Sequence, residues 1–161
     1  MDKLYEDSET GCCKKFNPEP WDEKEITFNE KLFIKDKVTS LFHIPINFGS
    51  KMKKNVELIM KAKAQPEEPL MLSDECSLFG SDLYIHTTKD VPGAEMVKIS
   101  GTYLTKVFEG SFKDMKKWID EMNKYVEGKG KKVKKLYFFY TTCPRCAKHY
   151  GKNYTVIFAE I

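Results

Sequence analysis

The 161-residue sequence has no run of apolar residues approaching the ~18 that a membrane helix requires, and its first fifteen residues carry no apolar stretch of the kind that directs export. These two absences lead to the expectation of a cytoplasmic protein with no membrane partner. An excess of one charge is also missing. Twenty-seven Lys and Arg against 24 Asp and Glu leave a net +3, and a nucleic-acid footprint needs such charge gathered on one face. The lysine-rich stretches Lys51 to Lys54 and Lys129 to Lys135 have no interleaved aromatics, so they read as solvated faces and no nucleic-acid partner is expected. There are only three His, and no Ser or Cys lies in a nucleophile elbow. A Ser-His-Asp type hydrolase is therefore not supported, and His86 reads as a satisfied, half-buried strand residue. Five Cys without an export signal read as free thiols or metal ligands rather than a disulfide framework. Asn153-Tyr154-Thr155 matches a glycosylation sequon, but a chance match is the reading for a cytosolic chain.

What the sequence does hold is enough apolar and aromatic residues, 41% and 13%, to bury one core or two small halves sharing one. Residues 1–30 mix acids with Gly11, Pro18 and Pro20 and read as an extended N-terminal arm with Trp21 as its anchor. From Lys31 to Ile44, Leu32, Ile34, Val38, Phe42 and Ile44 share one parity, the alternation of a half-buried strand ended by Pro45. Met52, Val56, Ile59, Met60 and Lys63 follow at helical spacing between Ser50 and Lys63, and Pro66 and Pro69 stop that helix. Two short strands, 69–73 and 81–88, complete a β-α-β-β order.

The same order returns. Glu95 to Glu109 alternates as a strand, Gly110-Ser111 offers a helix cap, and Phe112, Met115, Ile119, Met122 and Val126 mark one helical face ended by Gly128 and Gly130. Leu136 to Tyr140 and Tyr154 to Phe158 form the closing strand pair. The spacing predicts an α+β fold of two β-α-β-β repeats, 31–88 and 95–161, that bury their sheets against each other and the helices.

Thr142-Cys143-Pro144-Arg145-Cys146 is a Cys-Pro-x-Cys turn between two strands, the arrangement in which two thiolates converge on a tetrahedral zinc ion. Cys12 and Cys13 in the arm would supply the remaining ligands, with His149 as an alternative, and a structural zinc would fix the arm to the body. A redox-active pair and inert thiols are the other two readings of this turn. Cys76 has no sequence partner and reads as a small buried residue.

Ile99-Ser100-Gly101-Thr102-Tyr103, Phe108-Glu109-Gly110, Trp118 in the helix and Tyr140 with Pro144 are the residues by which 96–161 resembles the GyrI-like small-molecule-binding domain. The β-α-β-β order of residues 31–88 fits the other half of that family's duplicated fold. The resemblance implies a stand-alone receptor with an aromatic-lined cleft between the two repeats that takes flat hydrophobic and often cationic compounds. Some similar proteins hydrolyse cyclopropane-bearing compounds, others restrain DNA gyrase, and others are fused to a DNA-reading helix-turn-helix, for which the thirty residues before Lys31 are too few and too acidic. Phe138 stands where the family has an acid two residues ahead of the matched tyrosine, and the acidic position of the last strand falls near Thr155. A neutral aromatic ligand is thus expected at least as much as a cationic one.

Tyr84, Tyr103, Phe108, Trp118, Tyr137, Tyr140 and Phe158 are the ligand-binding candidates, because flat rings bind flat rings and phenols orient them; ordinary core packing is the competing reading. Among the acids Asp74, Glu75, Asp82 and Glu109 near strand ends, Glu109 shares the parity of Val107 and is the candidate base for adding water to a strained ring, against the plainer reading of a solvated turn carboxylate. Three functions follow. The first is a binding module for small hydrophobic aromatic molecules that needs no cofactor, with its protein partner unnamed. The second is a hydrolase of strained or activated aromatic compounds, and the third is a zinc or thiol protein.

Overall fold

In the computed structural model, residues 16–41, 44–45, 48–67, 70–74, 80–141, 151 and 153–161 are described. The architecture is α+β, with seven strands, two helices and one 3-10 turn among those residues. It divides into two compact units: residues 27–101, and residues 16–26 together with Thr102–Ile161.

In the unit of residues 27–101, strand β1 (Lys24–Leu41) turns into β2 (Ile44–Pro45) through the pair Leu41↔Ile44. It is followed by helix α1 (Phe48–Ala62) and strands β3 (Met71–Asp74) and β4 (Gly80–His86). Strand β4 is central, pairing antiparallel with β1 from Phe33↔His86 to Thr39↔Gly80 and with β3 from Met71↔Ile85 to Asp74↔Asp82. One sheet face, carrying Ile34, Val38, Leu83 and Ile85, packs with Ile59, Met52, Leu58 and Ala62 of α1, because these strand residues share a parity and these helix residues share a stripe.

Two features differ from the sequence expectation. Strand β1 begins at Lys24 and not at Lys31, so residues 24–30 are strand rather than arm. Glu30 has a positive φ of 48°, and its N–H donates to Ser100 Oγ at 2.8 Å. A left-handed residue breaks the two-residue alternation, and buried Phe28 before it and Phe33 after it end up with rings 6.1 Å apart. The buried stripe of α1 includes Asn55, 2% exposed, while Val56 is half-buried. Asn55 Nδ2 donates to Asp36 Oδ2 at 2.9 Å and to the Lys51 carbonyl at 2.9 Å, which satisfies an amide that would otherwise be costly to bury.

In the second unit, strand β5 (Glu95–Glu109), whose residues from Thr102 onward belong here, leads through the 3-10 turn Phe112–Asp114 into helix α2 (Met115–Gly128). Strands β6 (Lys135–Tyr140) and β7 (Tyr154–Glu160) follow. Strand β7 is central, pairing with β5 from Tyr103↔Glu160 to Glu109↔Tyr154 and with β6 from Lys135↔Glu160 to Tyr140↔Thr155. Trp118, Met122 and Val126 of α2, spaced four apart, bury against Leu104, Phe108, Phe138, Ile157 and Ala159. The helix stops where Gly130 adopts φ 73°, its N–H donating to the Glu127 carbonyl and that of Lys131 to the Val126 carbonyl, a Schellman closure that only glycine adopts without strain.

The opposite face of this sheet is covered by the segment before β1. The Trp21 ring lies 5.9 Å from Phe139 and 5.8 Å from Phe158, and that of Phe16 lies 6.1 Å from Phe139 and 5.6 Å from Tyr154. The Trp21 carbonyl accepts the Thr105 hydroxyl, and Asp22 Oδ1 accepts the Val107 N–H at 3.1 Å. Aromatic contacts and hydrogen bonds thus fix this segment to the sheet.

Candidate active site

A groove of about 290 Å³ lies where the end of β5 meets the 3-10 turn and α2, lined by Lys106, Val107, Phe108, Glu109, Asp114, Lys117, Trp118 and Glu121. Its polar residues come from two sources. The end of β5 supplies Lys106 and Glu109, and α2 with its preceding turn supplies Asp114, Lys117, Trp118 and Glu121 at relative positions 0, 3, 4 and 7, one stripe of a helix surface. Phe108 and Trp118 stack with centroids 5.7 Å apart and planes 20° apart, forming an apolar side next to the charges. Lys106 is engaged elsewhere, its Nζ 3.3 Å from Glu23 Oε1 and 5.5 Å above the Tyr125 ring. Lys117 lines the groove together with Glu109, Asp114 and Glu121, so its lining carries charges of both signs.

The corner carrying Glu109 is held on its far side by Asn153. Gly110 N–H donates to the Asn153 carbonyl at 3.0 Å, and Asn153 Nδ2 donates back to the Gly110 carbonyl at 2.7 Å. Gly110 has φ 135°; a Cβ there would lie 3.7 Å from Trp118 Cζ2 and 3.8 Å from Asp114 Oδ2. The strain of that backbone, rather than a clash, reserves the position for glycine.

The seven aromatic candidates do not form one cluster. Phe108, Trp118 and Tyr140 belong to the layer between α2 and the sheet. Tyr103, Tyr137 and Phe158 lie on the other sheet face, with Tyr103 6.0 Å from Tyr137 and 6.3 Å from Phe158. Tyr84 belongs to the other unit, 6.5 Å from Phe33. The division follows from strand parity, since Tyr103 and Phe108 differ in parity along β5 and point to opposite faces. Burial first, then the neighbouring Tyr137 and Glu160, push the Tyr103 phenol up to about 12, against a lowering by Lys135. Glu160 pairs in register with both Tyr103 and Lys135.

Glu109, exposed at the last residue of β5, lines the groove although its parity along the strand is that of Tyr103 and not that of Phe108. Asp74 and Asp82 face each other across β3 and β4, while Glu75 lies outside the described residues, as do Cys12, Cys13, Cys76, Cys143, Cys146 and His149. Among the described residues no three His, Cys, Asp or Glu are grouped to hold a metal ion. His86 Nδ1 lies 2.9 Å from the Leu32 carbonyl. Burial, with the nearby Lys31 charge, lowers its pKa despite that hydrogen bond, so the ring is neutral at pH 7. No described helix is long and apolar enough to cross a membrane.

A family model described as bacterial hydrolase matches residues 3–161. The chain belongs to that family. No curated protein matches it. In this bacterial hydrolase family member, the groove is where exposed carboxylates, a lysine and a stacked ring pair share one concavity. The sequence reading found Glu109, Phe108 and Trp118 but missed Lys106, Asp114, Lys117 and Glu121. The helical spacing of Asp114, Lys117, Trp118 and Glu121 was the signal that would have united four of these lining residues.

Proposed function

We propose that this protein is a hydrolase of flat aromatic compounds carrying a strained or activated ring, and that the groove beside Glu109 is its active site. The substrate lies along the Phe108 and Trp118 side. Glu109 takes a proton from water as its oxygen attacks the electrophilic carbon, the strained or activated bond breaks, and the proton passes to the departing atom. Lys117 steadies the negative charge that develops there. The observation that carries this reading is that Glu109, Lys117 and the stacked rings line one 290 Å³ groove, in a chain matched from residue 3 to 161 by a hydrolase family. The reading keeps the GyrI-like architecture of two β-α-β-β repeats, supported by the central position of the last strand in each unit's sheet.

The test is a panel of activated aryl esters and aryl-substituted three-membered rings. Wild-type protein is expected to turn over at least one of them, and Glu109→Gln to lose about 10²-fold or more in rate with an unchanged melting temperature. Turnover unaffected by Glu109→Gln sinks the assignment of the base. Uptake of a planar dye without turnover of any compound would favour the second reading, a binding module, which the close approach of the Tyr103, Tyr137 and Phe158 rings supports.

A further inference from the structure

We propose that Asn153 is a positioning residue for Glu109, acting through Gly110; the inference rests on the hydrolase reading of the groove. The β5–β7 ladder is in register up to Glu109↔Tyr154. The next rung, Gly110 opposite Asn153, is completed in an unusual way. Gly110 N–H reaches the Asn153 carbonyl at 3.0 Å, while the returning bond to the Gly110 carbonyl, at 2.7 Å, comes from the side-chain amide of Asn153. Both peptide planes flanking Gly110 are therefore tied to one residue.

The tie is needed because Gly110 sits at φ 135°, in a region where glycine alone moves freely and where its own backbone preference holds nothing in place. Immediately before it is Glu109, and the groove wall on its other side holds Asp114 and Trp118, each within 4 Å of where a Gly110 Cβ would stand. A shift of the Gly110 peptide therefore moves Glu109 relative to Asp114 and Trp118. Asn153 itself is anchored from the next residue, since the Tyr154 carbonyl accepts the Thr141 hydroxyl at 2.8 Å. A carboxylate that must meet an attacking water in line depends on such anchoring, because small displacements lower the rate steeply.

The test compares wild type with Asn153→Asp, which keeps the shape but removes the N–H donor, and with Asn153→Ala. Both variants keep the Asn153 carbonyl as acceptor of the Gly110 N–H but remove the side-chain bond to the Gly110 carbonyl, so the rung is expected to open more often and Gly110 hydrogen exchange to rise about tenfold or more with little change in global melting. Both are also expected to lower kcat on the substrate found by the panel about tenfold to a hundredfold with KM within about twofold. Unchanged Gly110 exchange overturns the clamp whatever the activity does. Faster exchange with unchanged kcat overturns the positioning role. If wild-type protein hydrolyses nothing in the panel, the hydrolase reading falls, and the clamp is then judged by Gly110 exchange alone.

Discussion

Replacing Trp21 by alanine tests whether the segment before β1 is an integral part of the second unit. Trp21 is half-buried and makes two edge-on ring contacts, with Phe139 at 5.9 Å and Phe158 at 5.8 Å. A fully buried Trp→Ala change costs about 3–5 kcal/mol, and each aromatic pair contributes roughly 0.5–1.5 kcal/mol beyond area. Half burial scales the loss to about 2–3 kcal/mol. The bonds from the Thr105 hydroxyl to the Trp21 carbonyl and from the Val107 N–H to the Asp22 carboxylate survive the substitution and keep the loss below the core value. In urea unfolding followed by far-ultraviolet circular dichroism, the midpoint should fall with the slope unchanged, and the melting temperature should drop by roughly 5–10 °C. Trp21→Phe should recover about half the loss. A change below about 0.5 kcal/mol would show that the rings touch without contributing stability, and the account of why the arm is fixed would fail.

Further outcomes are expected elsewhere. Burial pushes the Asp36 carboxyl up, but hydrogen bonds from Asn55, the Lys37 N–H and Lys51, with the Lys51 charge, outweigh it and hold it below the usual aspartate range. Its stabilisation is therefore present above about pH 4 and is lost as pH falls through the lowered value; Asp36→Asn should flatten the acid limb of a stability–pH curve. Asp36→Ala leaves the Asn55 amide short of an acceptor and should cost about 2–4 kcal/mol in chemical denaturation. Tyr103 titrates near 12 in the fold against 10.0 ordinarily, so stability present below pH 10 should decline between pH 10 and 12. Tyr103→Phe, compared by pH-dependent melting, should make that decline shallower. Gly110→Ala forces a side-chain-bearing residue to φ 135° and should destabilise by about 1–3 kcal/mol, read by thermal unfolding.

Much of the element order was legible because the periodicity of each segment matched its structure. Strand β5 spans Glu95–Glu109 as its alternation indicates, and α2 presents Trp118, Met122 and Val126 to the core. The start of β1 was missed although Ile26 and Phe28 share the parity of Leu32, Ile34 and Val38, because the acids, Gly11, Pro18 and Pro20 of residues 1–30 read as an arm; that Glu30 at φ 48° steps the strand so that Phe28 meets Phe33 is not visible in the alternation. Asn55 was overlooked because a polar residue in an apolar stripe looks like an interruption until its partner, Asp36, is known to lie on the facing strand. The aromatic candidates were legible as residue types but not as a group. Which sheet face each ring occupies follows from parity, yet whether the two faces serve one site is a tertiary fact. The groove was half legible, since Glu109 and Phe108 are neighbours in sequence whereas their meeting with the Asp114 to Glu121 stripe depends on how α2 crosses the strands.

The carboxylate–amide tie between Asp36 and Asn55 gives helix α1 a single clock position on its sheet. A greasy stripe tolerates slippage, since one methyl group replaces another at little loss. A buried amide does not, because rotating the helix by one residue would take the buried Asn55 amide away from its carboxylate partner. Sequence drift at either position should therefore proceed in couples, and a redesign of this layer that keeps one partner without the other would trade a defined packing for a shifting one.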